Sequence, residues 1–160
     1  MTASSQPQAA STADAFDQSH QGRMRSAVVE QIYRSAFGAD YPAAAHPSAF
    51  YSAATLQLAV SALQLSPANV VADLGCGPGG PGLQAARQTG AALIGIDLSP
   101  AGIELARRQA AQLGLDRQAR FQVGDLTATG LPDASCDAVL SLDVLLEQRF
   151  LRRRYKDPIT

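Results

Sequence analysis

The sequence predicts an α/β fold, a parallel sheet with helices packed on it and a helical segment in front, and three observations carry that prediction. From Val70 to Leu142, short β-branched or apolar runs alternate with helix-length stretches, the rhythm of strand, helix, strand. A glycine-rich turn, Gly75-Cys76-Gly77-Pro78-Gly79-Gly80, stands between the first run and the first of those helices, the context in which such glycines form a nucleotide loop. Acids recur at or near the ends of the runs, at Asp73, Asp97, Asp125 and Asp143.

Taken in order, residues 1–18 are rich in Ser, Ala, Gln and Thr and carry almost no large apolar side chain. Such a segment buries too little to offset the entropy of ordering it, so a disordered tail is expected. Residues 19–66 are expected to be helical. Met24, Val28, Ile32 and Ala36 recur every four residues and Gly38 supplies a stop. After the polar, proline-punctuated loop Ala39 to Pro47, a second helix is predicted over about Ser48 to Leu65, with Phe50, Ala54 and Leu58 on one face and Ser66-Pro67 ending it. The sheet domain, 67–148, takes strands at Val70–Leu74, Ala92–Asp97, Ala119–Asp125 and Asp137–Leu142, with helices near Pro81–Gln88 and over Ser99–Leu113. The later helix is the more strongly marked. Ser99 suits the N-cap, and Pro100 falls at the first helical position, where its missing N–H costs nothing. Ile103, Ala106, Ala110 and Leu113 then share a face before Gly114 closes it.

Composition narrows the function classes. With 160 residues, 46% hydrophobic and 17% charged, the chain has material for one domain with a core. A formal net charge of −1 argues against a general polyanion-binding surface, so no nucleic-acid partner is expected. Residues 1–148 carry 8 bases and 13 acids, whereas 149–160 carry 5 bases and 1 acid. That basic C-terminal tail reads as a solvated segment. Cys76 and Cys136, the two cysteines, form no C-x-x-C pair, so neither a disulfide scaffold nor a metal site is expected. The start lacks the pattern of a secretion signal, and no run approaches the roughly 18 apolar residues of a membrane helix. A cytoplasmic protein with no membrane partner is expected.

The chemistry concentrates around the glycines. Gly75, Gly77 and Gly80 fit G-x-G-x-x-G, where the absence of side chains permits a tight turn and close approach of a ligand to the backbone. Asp97 follows Gly77 by 20 residues, the distance at which an acid binds a ribose diol through charge-assisted hydrogen bonds. Its competing role is that of a helix cap, although Ser99 already fills that place. In a parallel sheet all strands point one way, so the four acids fall along one carboxyl edge, where open α/β sheets bind ligands.

On these blocks the chain resembles the class I S-adenosylmethionine-dependent methyltransferases of small-molecule type. Val70–Gly80 is similar to the first motif of that family, Gly95-Ile96-Asp97-Leu98-Ser99 to its second and Gly124-Asp125-Leu126 to its third; Leu131–Val139 is similar to its approach to strand four. The resemblance implies a Rossmann-like sheet in the order 3-2-1-4 under an N-terminal helical lid, with S-adenosyl-L-methionine as cofactor. It also implies roles. Gly75 and Gly77 pass the methionine part of the cofactor, and Asp73 orients its amino group. Asp97 holds the ribose hydroxyls, with Leu98 against adenine. Asp125 accepts from the adenine amino group, with Leu126 beside the ring, and Ser141 lines the edge after strand four. An NAD-type domain is the rival within this architecture. Acids at Asp73 and Asp125 oppose it, because they repel a pyrophosphate and suit an ammonium or sulfonium.

The same resemblance implies methyl transfer to a small molecule such as a secondary metabolite. Methyl transfer is direct displacement, so Cys76 reads as a small loop residue and Cys136 as packing. No general base is identified; His46, in the loop before the second helix, is the weak candidate, and a surface histidine is its plainer reading. Tyr51 reads as packing, with the cofactor carboxylate as its functional reach. Against the seven-stranded sheet of the family, this sequence ends just after strand four. A truncated chain is therefore expected, whose strand four, lacking a partner on one side, favours homo-oligomers. The alternative to an enzyme is a truncated, catalytically inactive cofactor-binding remnant, or an oligomerising module completed by another chain.

Overall fold

A computed structural model describes residues 13–20, 22, 26–43, 51–142 and 144. Four parallel strands form one sheet: β1 (Val70–Leu74), β2 (Ala92–Asp97), β3 (Ala119–Val123) and β4 (Ala138–Leu140). Their order is β3-β2-β1-β4, the arrangement implied by the resemblance. The first two strands match their predicted bounds at both ends, and the two outer strands are shorter than predicted. Register places Asp73 opposite Gly95 and Leu140, and Asp97 opposite Val123. Asp137 clamps the start of β4 to β1: its N–H donates to the Val70 carbonyl at 2.8 Å, and its Oδ2 accepts the Val70 N–H at 2.7 Å.

Parallel neighbours need crossovers, and helices supply them. Helix α4 (Gly80–Thr89) joins β1 to β2 and α5 (Pro100–Gln112) joins β2 to β3. Leu83 and Ala86 of α4 and Ile103, Ala106 and Ala110 of α5 meet Val71, Leu93, Phe121 and Leu140 in one buried cluster. The predicted face of α5 is thus the buried one, and Ser99 caps it, its Oγ accepting the Gly102 N–H at 2.9 Å.

The N-terminal segment departs from expectation in three ways. Residues 13–18, expected to be disordered, belong to a helix over 13–20, α1. Contacts distant in sequence order it, chiefly between Asp17 and the start of α5. Helix α2 (Ala27–Phe37) forms where predicted, with Ser26 as its N-cap. Yet it buries no residue, and its stripe of Val28 and Ile32 lies in solvent. Helix α3 (Ala53–Ala62) is shorter than predicted. Ser52 caps it, and Asp40 Oδ1 accepts the Ala54 N–H at 2.9 Å. It buries Leu56 and Val60, while Leu58 is exposed. The predicted face was the opposite one, because positions 54 and 58 lie across the helix from 56 and 60. Leu56 and Val60 form a second cluster with Tyr51 and Ala85.

Among the described residues, no helix is long and apolar enough to cross a membrane, and β4 pairs with β1 alone. Residues 145–160, with the basic tail, lie outside the described residues, as do His46 and Asp143.

Candidate functional site

The site is built where β1 and β2 end. Gly75 and Gly77 turn the chain out of β1 with φ of +76° and +48°, values that residues with a side chain adopt only under strain. The turn is stitched to the neighbouring strand, since the N–H groups of Gly75 and Cys76 both donate to the Ile96 carbonyl, at 2.8 and 3.1 Å. Close approach matters as well. A Cβ on Gly75 would collide with Val144, and one on Gly77 would stand 3.0 Å from Cε1 of His20.

Asp97 closes the other side of this turn and is only 8% exposed. Its Oδ2 accepts the Gly77 N–H at 2.7 Å and its Oδ1 the Ser99 N–H at 2.8 Å. One carboxylate therefore joins the loop after β1 to the loop after β2. It braces the two loops, and each oxygen retains capacity for a further donor.

Asp73 is buried beneath α4, where its Oδ2 accepts the Gly82 N–H at 3.0 Å. Burial raises its pKa to about 7; the Gly82 bond works against the rise and the Asp97 charge adds to it. Tyr51 is 5% exposed, and its hydroxyl has no hydrogen-bond partner among the described residues. Burial pushes its pKa up, and the Asp73 charge pushes it further. A donor without an acceptor thus lies within electrostatic reach of a buried acid, and an unsatisfied buried hydroxyl is costly unless something completes it. The Cys76 thiol is also buried, and burial raises its pKa, as suits an inert loop residue.

The remaining residues occupy the same edge in different ways. Ser141 donates its hydroxyl to the Leu74 carbonyl at 2.9 Å and so ties the end of β4 to the end of β1. Leu98 and Leu126 are half-buried, and Asp125 is exposed. Asp125 Oδ1 accepts both the N–H and the hydroxyl of Thr127, at 2.8 and 2.7 Å. Gly124 links that loop to β2 through its N–H, which donates to the Asp97 carbonyl at 2.9 Å. Gly75, Gly77 and Asp97 are therefore joined in one bonded unit, Asp73 and Ser141 flank Leu74, and Asp125 stands at the rim. Among the described residues, no group of three or more metal-ligating side chains comes together.

Sequence reasoning missed Asp17 and His20, both on α1. The available signal was the four-residue spacing of Phe16 and His20, whose rings stack with centroids 6.2 Å apart.

A family profile described as a methyltransferase domain matches residues 71–155, more than half of the chain. Among curated relatives, the sterol 24-C-methyltransferase of Gibberella zeae is 36% identical over 87 residues, which make up 54% of this chain and 23% of that enzyme. The probable chloroplastic tocopherol O-methyltransferase of Oryza sativa is 41% identical over 73 residues, 46% of this chain and 20% of that enzyme. The chain thus spans between a fifth and a quarter of the length of these relatives. Among solved structures, geranyl diphosphate C-methyltransferase from Streptomyces coelicolor, in complex with S-adenosyl-L-homocysteine, superposes with a TM-score of 0.53. It is 27% identical, over 56% of this chain and 34% of that one. The ordered sheet, the glycine turn bonded to the acid at the end of β2 and the profile match agree: the chain belongs to the methyltransferase-domain family of class I S-adenosylmethionine-dependent enzymes.

Proposed function

We propose that this chain binds S-adenosyl-L-methionine along the carboxyl edge of its sheet and transfers the methyl group to a small molecule. The observation that carries the reading is the bonded unit of Gly75, Gly77 and Asp97, with buried Asp73 beside it and, within electrostatic reach of Asp73, a Tyr51 hydroxyl that has no partner among the described residues. The residues fit a cationic amino-acid nucleoside. Asp97 offers acceptors to a ribose diol, Asp73 a carboxylate to an ammonium, and Tyr51 a donor to a carboxylate. Leu98 and Leu126 offer apolar contact to a base, and Asp125 an acceptor at the rim.

The cofactor, when bound, supplies an electrophilic methyl on a cationic sulfur. The chain holds carboxylates on the edge, and its two turn glycines let neighbouring side chains pack closely on the turn, Val144 at Gly75 and His20 at Gly77. Acceleration comes from holding two reactants in line, so residues that fix the cofactor also set the rate. The glycine turn and Asp73 stand as cofactor residues in this reading, together with Ser141 beside the reacting end. Several relatives are named for small-molecule acceptors, among them a sterol, a tocopherol and geranyl diphosphate, which supports an acceptor of that class here.

Titration calorimetry with S-adenosylmethionine and S-adenosylhomocysteine tests the reading. Binding of both supports it; binding of neither by the folded chain overturns it. Radiolabelled methyl transfer to a panel of small lipids, phenols and amines tests turnover, and cofactor binding with no acceptor in the panel methylated favours the remnant. If two copies pair, the edge of β4 is the surface this reading assigns to them, since among the described residues β4 is bonded to β1 alone, and light scattering on the purified chain reads the mass directly.

A further inference from the structure

Helix α1 reaches the site from the far end of the sequence. Asp17 Oδ1 accepts the Ser99 hydroxyl and, at 3.1 Å, the Ala101 N–H. Ser99 donates its N–H to Asp97 Oδ1, and Asp97 Oδ2 holds the Gly77 N–H. The four residues form one relay, Asp17 to Ser99 to Asp97 to Gly77, across three segments of the chain. His20, one turn after Asp17, lays its ring over both flanks: Cε1 stands 3.0 Å from where a Cβ on Gly77 would be, and Cδ2 3.2 Å from one on Gly102.

Ser99 is fully buried with α1 in place, so in the folded chain Asp17, and not water, accepts its hydroxyl. A buried hydroxyl that loses its acceptor is costly and turns to another, and Ser99 is the residue that fixes one oxygen of Asp97. Capping of α5 alone needs less than this, because Ser99 Oγ already accepts the Gly102 N–H. Asp17 adds a second acceptor at the start of α5, from an element that lies outside the sheet.

Resting on the cofactor reading above, we propose that Asp17 is a positioning residue for the cofactor ribose, fixing Ser99 and through it the aim of the Asp97 carboxylate. Its contribution belongs to ligand affinity through Asp97, beyond any share in the stability of α5.

The experiment is calorimetric titration of the full chain with S-adenosylhomocysteine, with a thermal melt of each sample. The set comprises wild type, Asp17→Ala, Asp17→Asn, Asp97→Asn and the double variant Asp17→Ala/Asp97→Asn. Asp17→Ala is expected to raise Kd about tenfold, the size of one lost charge-assisted bond. Asp17→Asn keeps an oxygen that accepts both donors and is expected within about threefold of wild type. In the Asp97→Asn background, Asp17→Ala is expected to add less than about twofold, because residues acting through one link are not additive. An unchanged Kd in folded Asp17→Ala overturns the proposal, as does a tenfold loss that persists in the Asp97→Asn background. A tighter Kd overturns it too and makes α1 a plug over the site. Should Asp17→Ala fail to fold, Asp17→Glu keeps the charge and displaces the acceptor; loss of affinity with an unchanged melt supports the proposal, and retained affinity overturns it. Wild type that binds no S-adenosylhomocysteine defeats the cofactor reading and this one together, an outcome distinct from a wild type that binds and is indifferent to Asp17.

Discussion

Two acids expected on one edge have opposite surroundings. Asp73, at the end of β1, is buried with its carboxylate on the Gly82 N–H; Asp125, just past the end of β3, is exposed and spends one oxygen on its own turn. The difference extends to the halves they stand in. Around β1 and β2, the turn, Asp97 and Ser99 are bonded to one another and screened from water, whereas the loop after β3 is braced internally and open. Position along a strand fixes which edge a residue reaches. The neighbours packed over that edge fix what its charge costs, and so how much it gives when a ligand completes it.

The largest expected effect separates the halves by pH. Burial lifts Asp73 from 3.8 to about 7, so the folded chain holds this proton more tightly than the unfolded one. Stability therefore falls as pH rises from about 4 to about 7 and levels off above, by the order of 4 kcal/mol. Asp73→Asn preserves an acceptor for Gly82 and removes the titration. Denaturant unfolding at pH 4.5 and 8 is expected to show wild type losing stability that the variant keeps; parallel losses in the two would mean that Asp73 titrates as an ordinary carboxylate.

Next in size is a packing contrast. A Cβ on Gly95, in the middle of β2, would run into the Phe121 ring and stand 2.9 Å from the Cys76 sulfur. A Cβ on Gly124, after β3, would meet Ile96 Cγ2 at 3.1 Å and otherwise only the Gln122 side-chain nitrogen at 4.0 Å. Overpacking between fixed groups costs about 2–3 kcal/mol, and a contact with a movable methyl about 1 or less. Thermal melts of Gly95→Ala and Gly124→Ala measure both, and equal losses would erase the distinction between a tight half and a loose one.

The same distinction marks what the sequence discloses. Strands β1 and β2 and helix α5 are legible because their signals are local: apolar runs, a Ser-Pro start, a four-residue stripe. The glycine spacing and Asp97 are legible for the same reason. The burial of Asp73 is not, since an acid at a strand end reads the same whether α4 covers it or water does. Helix α1 is hidden more deeply. Residues 13–18 hold little apolar surface, and partners at Ser99 and Ala101, more than 80 residues away, give Asp17 a place. The faces of α2 and α3 fail similarly, because a repeat every four residues fixes a stripe but not the neighbour it meets. In α3 the buried stripe is Leu56 and Val60, set by Tyr51 and Ala85 across from it.

Affinity sharpens the comparison further. Asp97→Ala removes the acceptor for a ribose diol and unties Gly77 from Ser99, so binding of S-adenosylhomocysteine is expected to weaken by about 1–3 kcal/mol. Calorimetry reads the loss, with a melt to confirm that the chain is folded. A dissociation constant that does not move would remove Asp97 from the site.

Asp125 should show the smallest effect, although it follows β3 on the edge where Asp97 ends β2. Its carboxylate faces water, so a hydrogen bond from an adenine amino group replaces one from solvent, and the net gain is about 0.5–1 kcal/mol. Part of that is offset in Asp125→Asn, which keeps an oxygen for the Thr127 N–H and hydroxyl, so its Kd is expected within about threefold of wild type. Asp125→Ala also loses the turn and should fall between that variant and Asp97→Ala. If Asp125→Ala weakens binding as much as Asp97→Ala, exposure is not what sets the contribution of an edge acid. The rim must then close over the ligand, so that Asp125 loses its water when the site fills.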